Sequence, residues 1–236
     1  VQKSLLCRFN TTTVAAIYKS EAQVVCNTTA MAAGIASVEV STNGNDFTTS
    51  SGVQFASVVT TIEDLTPWSG PTLGGTSVVV MATSLAVTSL LSCRFSSTPD
   101  VWLSVPAQSV GVTSEMPGVA SGVRCESPVG LPTGWSSVQL LSHGTALRSS
   151  GAFYVHARLF VSVLVPATGP VEGGAWVSVL GASFPAAASL RCRFEAHGAM
   201  GVARRVHENQ LECTAPPASD TGARVVEVSM NGQQFS

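Results

Sequence analysis

The sequence predicts an all-β chain made of small β-sandwiches arranged in tandem. One observation is a repeat: the triplet Cys-Arg-Phe occurs three times, at residues 7–9, 93–95 and 192–194. A further cysteine follows each triplet, at Cys26, Cys125 and Cys213, so all six cysteines are used in pairs. A second observation is that short segments alternate apolar and polar residues, as half-buried strands do. Clusters of Gly, Pro, Asn and Ser separate those segments, which is typical of turns.

The repeat divides the 236 residues into three segments, 1–56, 57–155 and 156–236. The middle segment contains every predicted strand. The first begins directly on the strand that carries Cys7, so its opening strands are expected to be missing. The third matches the middle segment as far as Phe235 and is expected to lack the last strand. We therefore expect a piece of a longer polypeptide, or a chain whose missing strands come from a neighbour.

The amino-acid composition argues against some classes of binding partner. Charged residues make up 11% of the chain and the formal net charge is −2, and the arginines are scattered, which argues against nucleic-acid binding. No apolar run approaches the roughly 18 residues that span a bilayer, so no membrane segment is predicted. The partners expected are proteins: neighbouring domains, or copies of the same chain.

The middle and third segments each open with a bend in which Pro and Gly are identically spaced, at residues 67–75 and 166–174. Paired glycines supply positive φ and the prolines restrict φ, so a rigid connection between strands is predicted. A Gly-Gly pair can also signal a phosphate-binding loop. That reading is disfavoured because no Lys-Ser/Thr follows and no helix is predicted there.

The strand with the first cysteine alternates strictly, which places Leu, Cys and Phe inward and the arginine outward. The outward arginines are Arg8, Arg94 and Arg193. They either form a ladder to acids of a neighbouring unit or, as we favour, pair locally on a solvated strand face, which contributes about 0 to 1 kcal/mol each.

The last predicted strand of the first and third segments ends at an Asn-Gly turn. The turns are Asn43-Gly44 and Asn231-Gly232, and Phe47 and Phe235 follow three residues later. The middle segment has His143-Gly144 and Leu147 at the matching positions.

Six cysteines allow many connectivities, but the repetition favours one set. The predicted bonds are Cys7–Cys26, Cys93–Cys125 and Cys192–Cys213. Disulfides would place the chain in an oxidising, extracellular or cell-surface environment. A zinc site is disfavoured because no close Cys-x-x-Cys pair and no histidine at ligand spacing occurs. Buried free thiols in a cytosolic protein remain an alternative.

The order Pro-x-x-Gly-Pro-x-x-Gly-Gly, Cys-x-Phe, a second cysteine followed by Pro, then Asn-Gly-x-x-Phe resembles the IPT/TIG domain. That resemblance implies an immunoglobulin-like fold of the kind found in plexins, Met-type receptors and the fibrocystin group of ciliary surface proteins. It covers nearly the whole chain and is most complete in the third segment. The middle segment departs from it at the Asn-Gly turn, and the first has Asn27-Thr28-Thr29 where the others have proline. The family implies fold and location more than activity.

No catalytic, cofactor or metal site is predicted. The four histidines, His143, His156, His197 and His207, are interpreted as surface residues of loops or strands. No Gly-x-Ser-x-Gly elbow supports a serine nucleophile, and the aspartates are isolated rather than clustered as calcium requires. We therefore expect a protein that is not an enzyme and that needs no cofactor.

Asn10 and Asn27 begin Asn-x-Thr sequons and are predicted glycosylation sites if the chain is secreted, because each follows a cysteine strand where an exposed loop is expected. Among the tryptophans, Trp176 lies within a predicted strand and is expected in the core. Trp68 and Trp135 lie in turn-rich segments and are candidate interface residues.

No Gly/Ser-rich or Pro-rich spacer separates the segments, so neighbouring domains are expected to abut in a semi-rigid rod. The sequence therefore predicts a structural or adhesive segment of a large extracellular or cell-surface protein: part of a filament, a surface appendage such as a ciliary one, or a long ectodomain. An alternative is the ligand-binding stalk of a plexin-like or Met-like signalling receptor. A carbohydrate-binding accessory module of an enzyme is a weaker third hypothesis, since no catalytic neighbour is in view.

Overall fold

The computed structural model describes residues 5–49, 51–86, 90–111, 119–184, 190–194 and 200–236. These residues form strands, turns and extended connections, which confirms the all-β class. The chain divides into two compact units, Val1–Val59 and Thr60–Ser236. Within the described ranges no helix is long and apolar enough to cross a membrane.

The first unit contains one repeat, called the first repeat, built on five antiparallel strands in the order β3-β2-β1-β4-β5. Its strands are β1 (Leu6–Phe9), β2 (Thr12–Ser20), β3 (Gln23–Cys26), β4 (Gly34–Ser41) and β5 (Gln54–Ser57). The buried centre of this repeat consists of Cys7, Phe9 and Ala36.

The second unit contains two sheets, called the middle and third repeats. The middle repeat has the order β6-β8-β11-β10-β9-β12-β13-β7, and the third has β14-β15-β18-β17-β16-β19. The strands of the middle repeat are β6 (Thr61–Thr66), β7 (Ser69–Pro71), β8 (Ser77–Ala86), β9 (Leu91–Thr98), β10 (Val101–Val110), β11 (Val119–Glu126), β12 (Gly134–Ser142) and β13 (Thr145–His156). Those of the third are β14 (Phe160–Val165), β15 (Trp176–Ala182), β16 (Arg191–Phe194), β17 (Met200–His207), β18 (Gln210–Thr214) and β19 (Val226–Ser229).

The three repeats share one strand arrangement around the strand that carries the first cysteine. In the middle repeat this strand, β9, lies between β10 and β12 and places Phe95 opposite Val138. The strand after it, β10, pairs with β9 along 101–106 and with β11 along 107–110. Because β10 passes from one set of strands to the other, it joins the two faces of a sandwich.

The strict alternation of the cysteine strand is confirmed. Cys93 and Phe95 are buried while Arg94 between them reaches the surface. The structure joins Cys7 to Cys26, Cys93 to Cys125 and Cys192 to Cys213, the pairs expected from the repetition. Each bond therefore links two strands of the same repeat across its buried centre.

The last strands of the first and middle repeats each place one aromatic ring against the phenylalanine of Cys-Arg-Phe. Phe153 of β13 meets Phe95 edge to face, with ring centroids 5.4 Å apart. Phe55 of β5 meets Phe9 in the same way at 5.5 Å. Edge-to-face contact is the favoured geometry for aromatic pairs. In both repeats the phenylalanine of Cys-Arg-Phe therefore packs favourably against a ring of the final strand.

The two Pro/Gly bends are fixed against the segment that follows the second cysteine. Gly74 and Gly173 both have positive φ, and a Cβ on either would meet backbone atoms 2.7 and 2.5 Å away, at residues 127–129 and 215–217. In the middle repeat the Gly75 N–H donates to the Ser127 carbonyl over 2.8 Å. The bend is thus held by backbone contact, and glycine is required for that approach. Each bend follows a cis X-Pro peptide bond.

Candidate functional site

The middle and third repeats meet in a contact that is both apolar and hydrogen-bonded, called here the junction. Trp68 packs against the buried cores of both repeats, and Tyr154 of the middle repeat packs against the core of the third. The expectation that Trp68 is an interface residue is confirmed within this unit. Trp135, the other candidate, stacks on Trp68 with ring centroids 5.9 Å apart.

The polar half of the junction is the turn at residues 229–234 of the third repeat. The Asn231 side-chain Oδ1 accepts hydrogen bonds from the backbone N–H groups of Gln233 and Gln234, at 2.9 and 3.1 Å. The Ser229 hydroxyl oxygen accepts from the Gly232 N–H at 2.8 Å, and Gly232 has a φ of 75°. Local bonds of Asn and Ser to the backbone are what shape such a turn. They leave the side chains of Gln233 and Gln234 to reach outward.

Gln233 binds one residue of the middle repeat twice. Its Oε1 accepts from the Ser77 N–H at 2.8 Å, and its Nε2 donates to the Ser77 carbonyl at 2.9 Å. Ser77 is the first residue of β8, where its backbone pairs with Glu126 of β11. The glutamine amide therefore occupies the position that a neighbouring strand would take on the other side of Ser77.

Gln234 and Asn231 bind the bend itself. Gln234 Nε2 donates to the Gly75 carbonyl at 2.9 Å, and the Thr76 hydroxyl donates to Gln234 Oε1 at 2.9 Å. Asn231 Nδ2 donates to the Ser69 carbonyl at 3.0 Å. The turn of the third repeat thus binds the backbone of the glycine-containing bend in the middle repeat.

The hydrogen bonds described for the junction join neutral groups. Amide, hydroxyl and backbone groups contribute about 0.5 to 1.5 kcal/mol for each hydrogen bond. Salt screens interactions between charges rather than neutral hydrogen bonds of this kind. We therefore expect the junction to hold across a wide range of ionic strength.

The first repeat has the same turn with different projecting residues. Asn43 Oδ1 accepts from the N–H groups of Asn45 and Asp46, and Gly44 has a φ of 82°. Here Asn43 Nδ2 donates to the Asp46 carboxylate at 2.8 Å, within the turn. The Asn-Gly signal was visible in the sequence, whereas the role of the two residues after it was missed. A pair of amide side chains directly after the glycine was the available signal.

The outward arginines pair within their own repeats. Arg193 Nε and Nη2 both donate to Glu227 Oε2, at 2.9 and 2.7 Å, and its guanidinium lies 3.7 Å from the centroid of Phe235. Arg8 is held in the same way by Glu39 and lies over the ring of Phe47. The local interpretation is the one that the structure supports, because both partners lie in the same repeat as the arginine.

Arg94 of the middle repeat has different partners. Its Nη2 donates to Gln139 Oε1, and its guanidinium lies 5.8 Å from the ring centroid of Trp102. Leu147, which stands where the other repeats have phenylalanine, packs against the core instead. The face around Arg94 is therefore not covered by a ring from the turn.

The interpretation of all histidines as surface residues is wrong for His156. His143 and His207 are exposed, but His156 is 6% exposed. His197 lies outside the described residues. Burial lowers the pKa of His156 from its ordinary value of 6.5, while the hydrogen bond of Nδ1 to the Ala157 carbonyl opposes that shift. With Nδ1 as the donor, Nε2 is unprotonated, and it is buried with no partner among the described residues.

The expectation that Trp176 belongs to the core is also wrong. Its side chain is 56% exposed, because in β15 Val177 and Val179 take the inward positions and Trp176 therefore faces outward. The sequon residues Asn10 and Asn27 both lie at exposed positions. Across the part of the chain that the structure describes, no group of three or more His, Cys, Asp or Glu side chains is arranged to hold a metal ion.

The family model described as "IPT/TIG domain" matches residues 1–57 and 159–236, more than half of the chain. The chain belongs to the IPT/TIG domain family. Both matched segments of this IPT/TIG chain contain an Asn-Gly turn. No curated protein sequence matches the chain.

This IPT/TIG chain is similar to two solved structures of plexin A4 extracellular regions. The one described as domains 1 to 10 has a TM-score of 0.55 and 14% identity, over 99% of this chain and 20% of that one. The one described as domains 1 to 8 has a TM-score of 0.43 and 15% identity, over 100% of this chain and 30% of that one. This IPT/TIG chain therefore spans less than a third of either structure.

The junction can be tested by combining Gln233→Ala with Gln234→Ala in the full chain. The pair removes four hydrogen bonds to the middle repeat, so we expect a loss of about 2 to 6 kcal/mol of stabilisation between the two repeats. The Ser77 N–H loses its acceptor, and its hydrogen exchange measured by NMR should accelerate at least about tenfold, since about 1.4 kcal/mol is a factor of ten.

The matched control is Asn45→Ala with Asp46→Ala, at the same turn positions of the first repeat. It should leave Ser77 protected. Unchanged Ser77 exchange in the glutamine variant would show that the turn does not hold the two repeats together.

A second prediction concerns pH. Because the pKa of His156 is lowered in the folded state, the unfolded chain binds the proton first as pH falls below about 6.5. The free energy of unfolding should then decrease between pH 7.5 and pH 5. His156→Asn keeps a side-chain donor but does not titrate, so the variant should lose less stability over that range.

Urea unfolding of the full chain at both pH values measures this difference. His207→Asn, at an exposed position, serves as the control and should follow the unmodified chain. An equal pH dependence of the unfolding free energy for His156→Asn and the unmodified chain would contradict a lowered pKa of His156 in the folded chain.

Proposed function

We propose that this IPT/TIG chain is a non-enzymatic structural or adhesive segment of a large extracellular or cell-surface protein. Its tandem domains would build part of a filament, a surface appendage or a long ectodomain. The observation that carries this proposal is the junction. Three residues, 157–159, separate β13 from β14, and the Asn231 turn binds the bend of the preceding repeat. A joint of this kind resists bending, which suits a spacer or a load-bearing element.

The disulfides support an extracellular or cell-surface location. Membership of the IPT/TIG family supports the proposal that the chain is not an enzyme. Three bonded cysteine pairs fit an oxidising compartment, and the described part of the chain has no free cysteine. IPT/TIG domains are immunoglobulin-like modules, so function is expected from their surfaces and contacts rather than from a catalytic centre. The proposed partners are neighbouring domains or other copies of the chain.

The alternative is the ligand-binding stalk of a plexin-like or Met-like receptor. The plexin A4 structure of ten domains shares the fold of this chain at 14% identity and a TM-score of 0.55. That similarity shows the fold only. The junction is compatible with a receptor stalk as well, because a stalk also needs domains that abut. The two proposals therefore differ in assembly: a filament requires contacts between chains, and a stalk does not.

Electron microscopy of the natively purified protein separates the two. A structural polymer should appear as regular fibres whose repeat is a whole number of domain lengths, because head-to-tail contacts that do not close produce filaments. Isolated rods at all protein concentrations would contradict the filament and favour the receptor stalk. Raising the salt concentration should leave the junction within each rod intact, which provides an internal control.

We also propose that Asn10 and Asn27 carry N-linked glycans. Asn10 Oδ1 accepts a hydrogen bond from the Ser37 N–H at 2.8 Å, which holds the exposed side chain in a fixed orientation. The Nδ2 atom is the one that carries a glycan, and Oδ1 can keep its hydrogen bond when Nδ2 is modified.

Intact-mass measurement before and after enzymatic deglycosylation tests this proposal on protein from a secreting eukaryotic cell. Asn10→Gln and Asn27→Gln should each remove one glycan mass, and Asn45→Gln, which lies outside any sequon, should remove none. An identical mass before and after treatment would reject both sites.

A further inference from the structure

The middle repeat has a surface groove to which neither the junction contacts nor the family match assigns a role. Its volume is about 720 Å³, within the range of small-molecule sites. Strands β9, β10, β12 and β13 form its floor, and two exposed tryptophans stand at its sides, Trp102 at 52% and Trp135 at 62% exposure. We propose that this groove binds an oligosaccharide.

Strand register places the two indole rings on the same face of the sheet. Trp102 lies opposite Ser96, and Ser96 lies opposite Ser137 on the next strand. Trp135 is two residues before Ser137, so its side chain points to the same side. Ordinary strand spacing then separates the Cα atoms of the two tryptophans by about 12 Å. The groove between them runs diagonally across the floor.

Both rings contact other side chains of the middle repeat. Trp68 stacks on Trp135 at an interplanar angle of 22°, and Tyr154 meets the edge of Trp135 with centroids 5.3 Å apart. Arg94 lies within cation–π distance of Trp102. Rings that are ordered before binding lose little conformational entropy when a ligand stacks on them.

The floor between the rings is polar. It presents Ser96, Ser137 and Ser150, the Gln139 amide and the Arg94 guanidinium. Arg94 is the only ionisable group among the described lining residues, so the groove has no negative charge. One atom of that guanidinium, Arg94 Nε, is buried without a partner in the described structure. Buried polar atoms are normally hydrogen-bonded, so this atom indicates a missing polar partner.

Flat aromatic rings beside hydroxyl and amide groups suit a sugar. One face of a pyranose ring presents C–H groups, which pack on an indole, while its hydroxyls radiate toward hydrogen-bonding groups. A protein partner would require an apolar, desolvated centre between the tryptophans. The floor has serines, Gln139 and Arg94 in that position, which favours the sugar.

The sequence explains why this groove occurs in one repeat. In the first and third repeats, Phe47 and Phe235 cover the outward arginine, which is also held by a glutamate. The middle repeat has Gln139 instead of the glutamate, and its Leu147 packs inward. The positions that match Trp135 in the other repeats are Ile35 and Ala223. The middle repeat alone thus combines an open polar floor with two tryptophans.

The test uses the full chain with cellohexaose, maltohexaose, chitohexaose, mannohexaose and sialyllactose as probes. Binding is followed by tryptophan fluorescence and by backbone amide shifts in NMR. At least one probe should bind saturably and shift the amides of β9 and β12. Trp102→Ala and Trp135→Ala should each weaken that binding by about tenfold, as loss of a stacking contact does.

Trp176→Ala is the matched control, because Trp176 is equally exposed but lies in the third repeat. It should bind the probe as the unmodified chain does. Ser137→Tyr keeps both tryptophans and fills the floor, so it should abolish binding even if Trp135→Ala disturbs Trp68.

Two results would overturn the proposal. One is the absence of saturable binding for all five probes. The other is self-association of the chain in sedimentation experiments that both Trp102→Ala and Trp135→Ala abolish while no sugar binds, which would make the face a protein contact. The first result leaves the proposed filament untouched, whereas the second would supply a contact between chains of the kind that a filament requires.

Discussion

The close approach of the glycine bend to the segment after the second cysteine is the constraint on which the junction depends. Gly74 has no room for a Cβ against residues 127–129, and its positive φ is costly for other residues. This approach ties the start of β8 to the end of β11, which Cys125 connects to the core. The Gly75 carbonyl and the backbone of Ser77 are then fixed on the surface. The turn of the third repeat binds those groups.

The junction joins the middle and third repeats through the side chains of one turn and through one indole. Gln233 uses one amide to satisfy both backbone groups of Ser77, as a strand would. The apolar part is supplied by Trp68, which contacts both cores. Hydrogen bonds set the relative position of the repeats, and packing of the half-buried indole against both cores adds an apolar contribution.

Small differences between the repeats change the same face from a covered surface to an open one. In the third repeat, Glu227 and Phe235 enclose Arg193 on both sides. In the middle repeat, Gln139 and Trp102 replace them at Arg94, and the ring comes from a neighbouring strand rather than from the turn. The strand register around the arginine is the same in the two repeats, with Arg94 opposite Gln139 and Arg193 opposite Glu227. The difference in surface chemistry at this face therefore follows from a few side chains, which is how one fold acquires different surfaces.

Local patterns in the sequence were enough to predict the fold. The period of two identified the inward faces of the cysteine strands, and repetition selected the cysteine partners. The Pro/Gly spacing identified both bends. Each of these signals lies within a few residues or recurs along the chain. Trp176 shows the limit of such reasoning, because strand membership does not tell which face a residue at the strand's first position takes.

The sequence by itself determined an all-β chain of tandem IPT/TIG repeats with a cysteine pair in each. The tertiary structure alone decided that Gln233 binds Ser77, which is 156 positions away, that His156 is buried, and that Trp102 and Trp135 flank one groove. The physical reason is that local backbone preference and burial have short periods that a sequence displays. Contacts between side chains of distant strands depend on how the folded repeats place them together, and no local period records that placement.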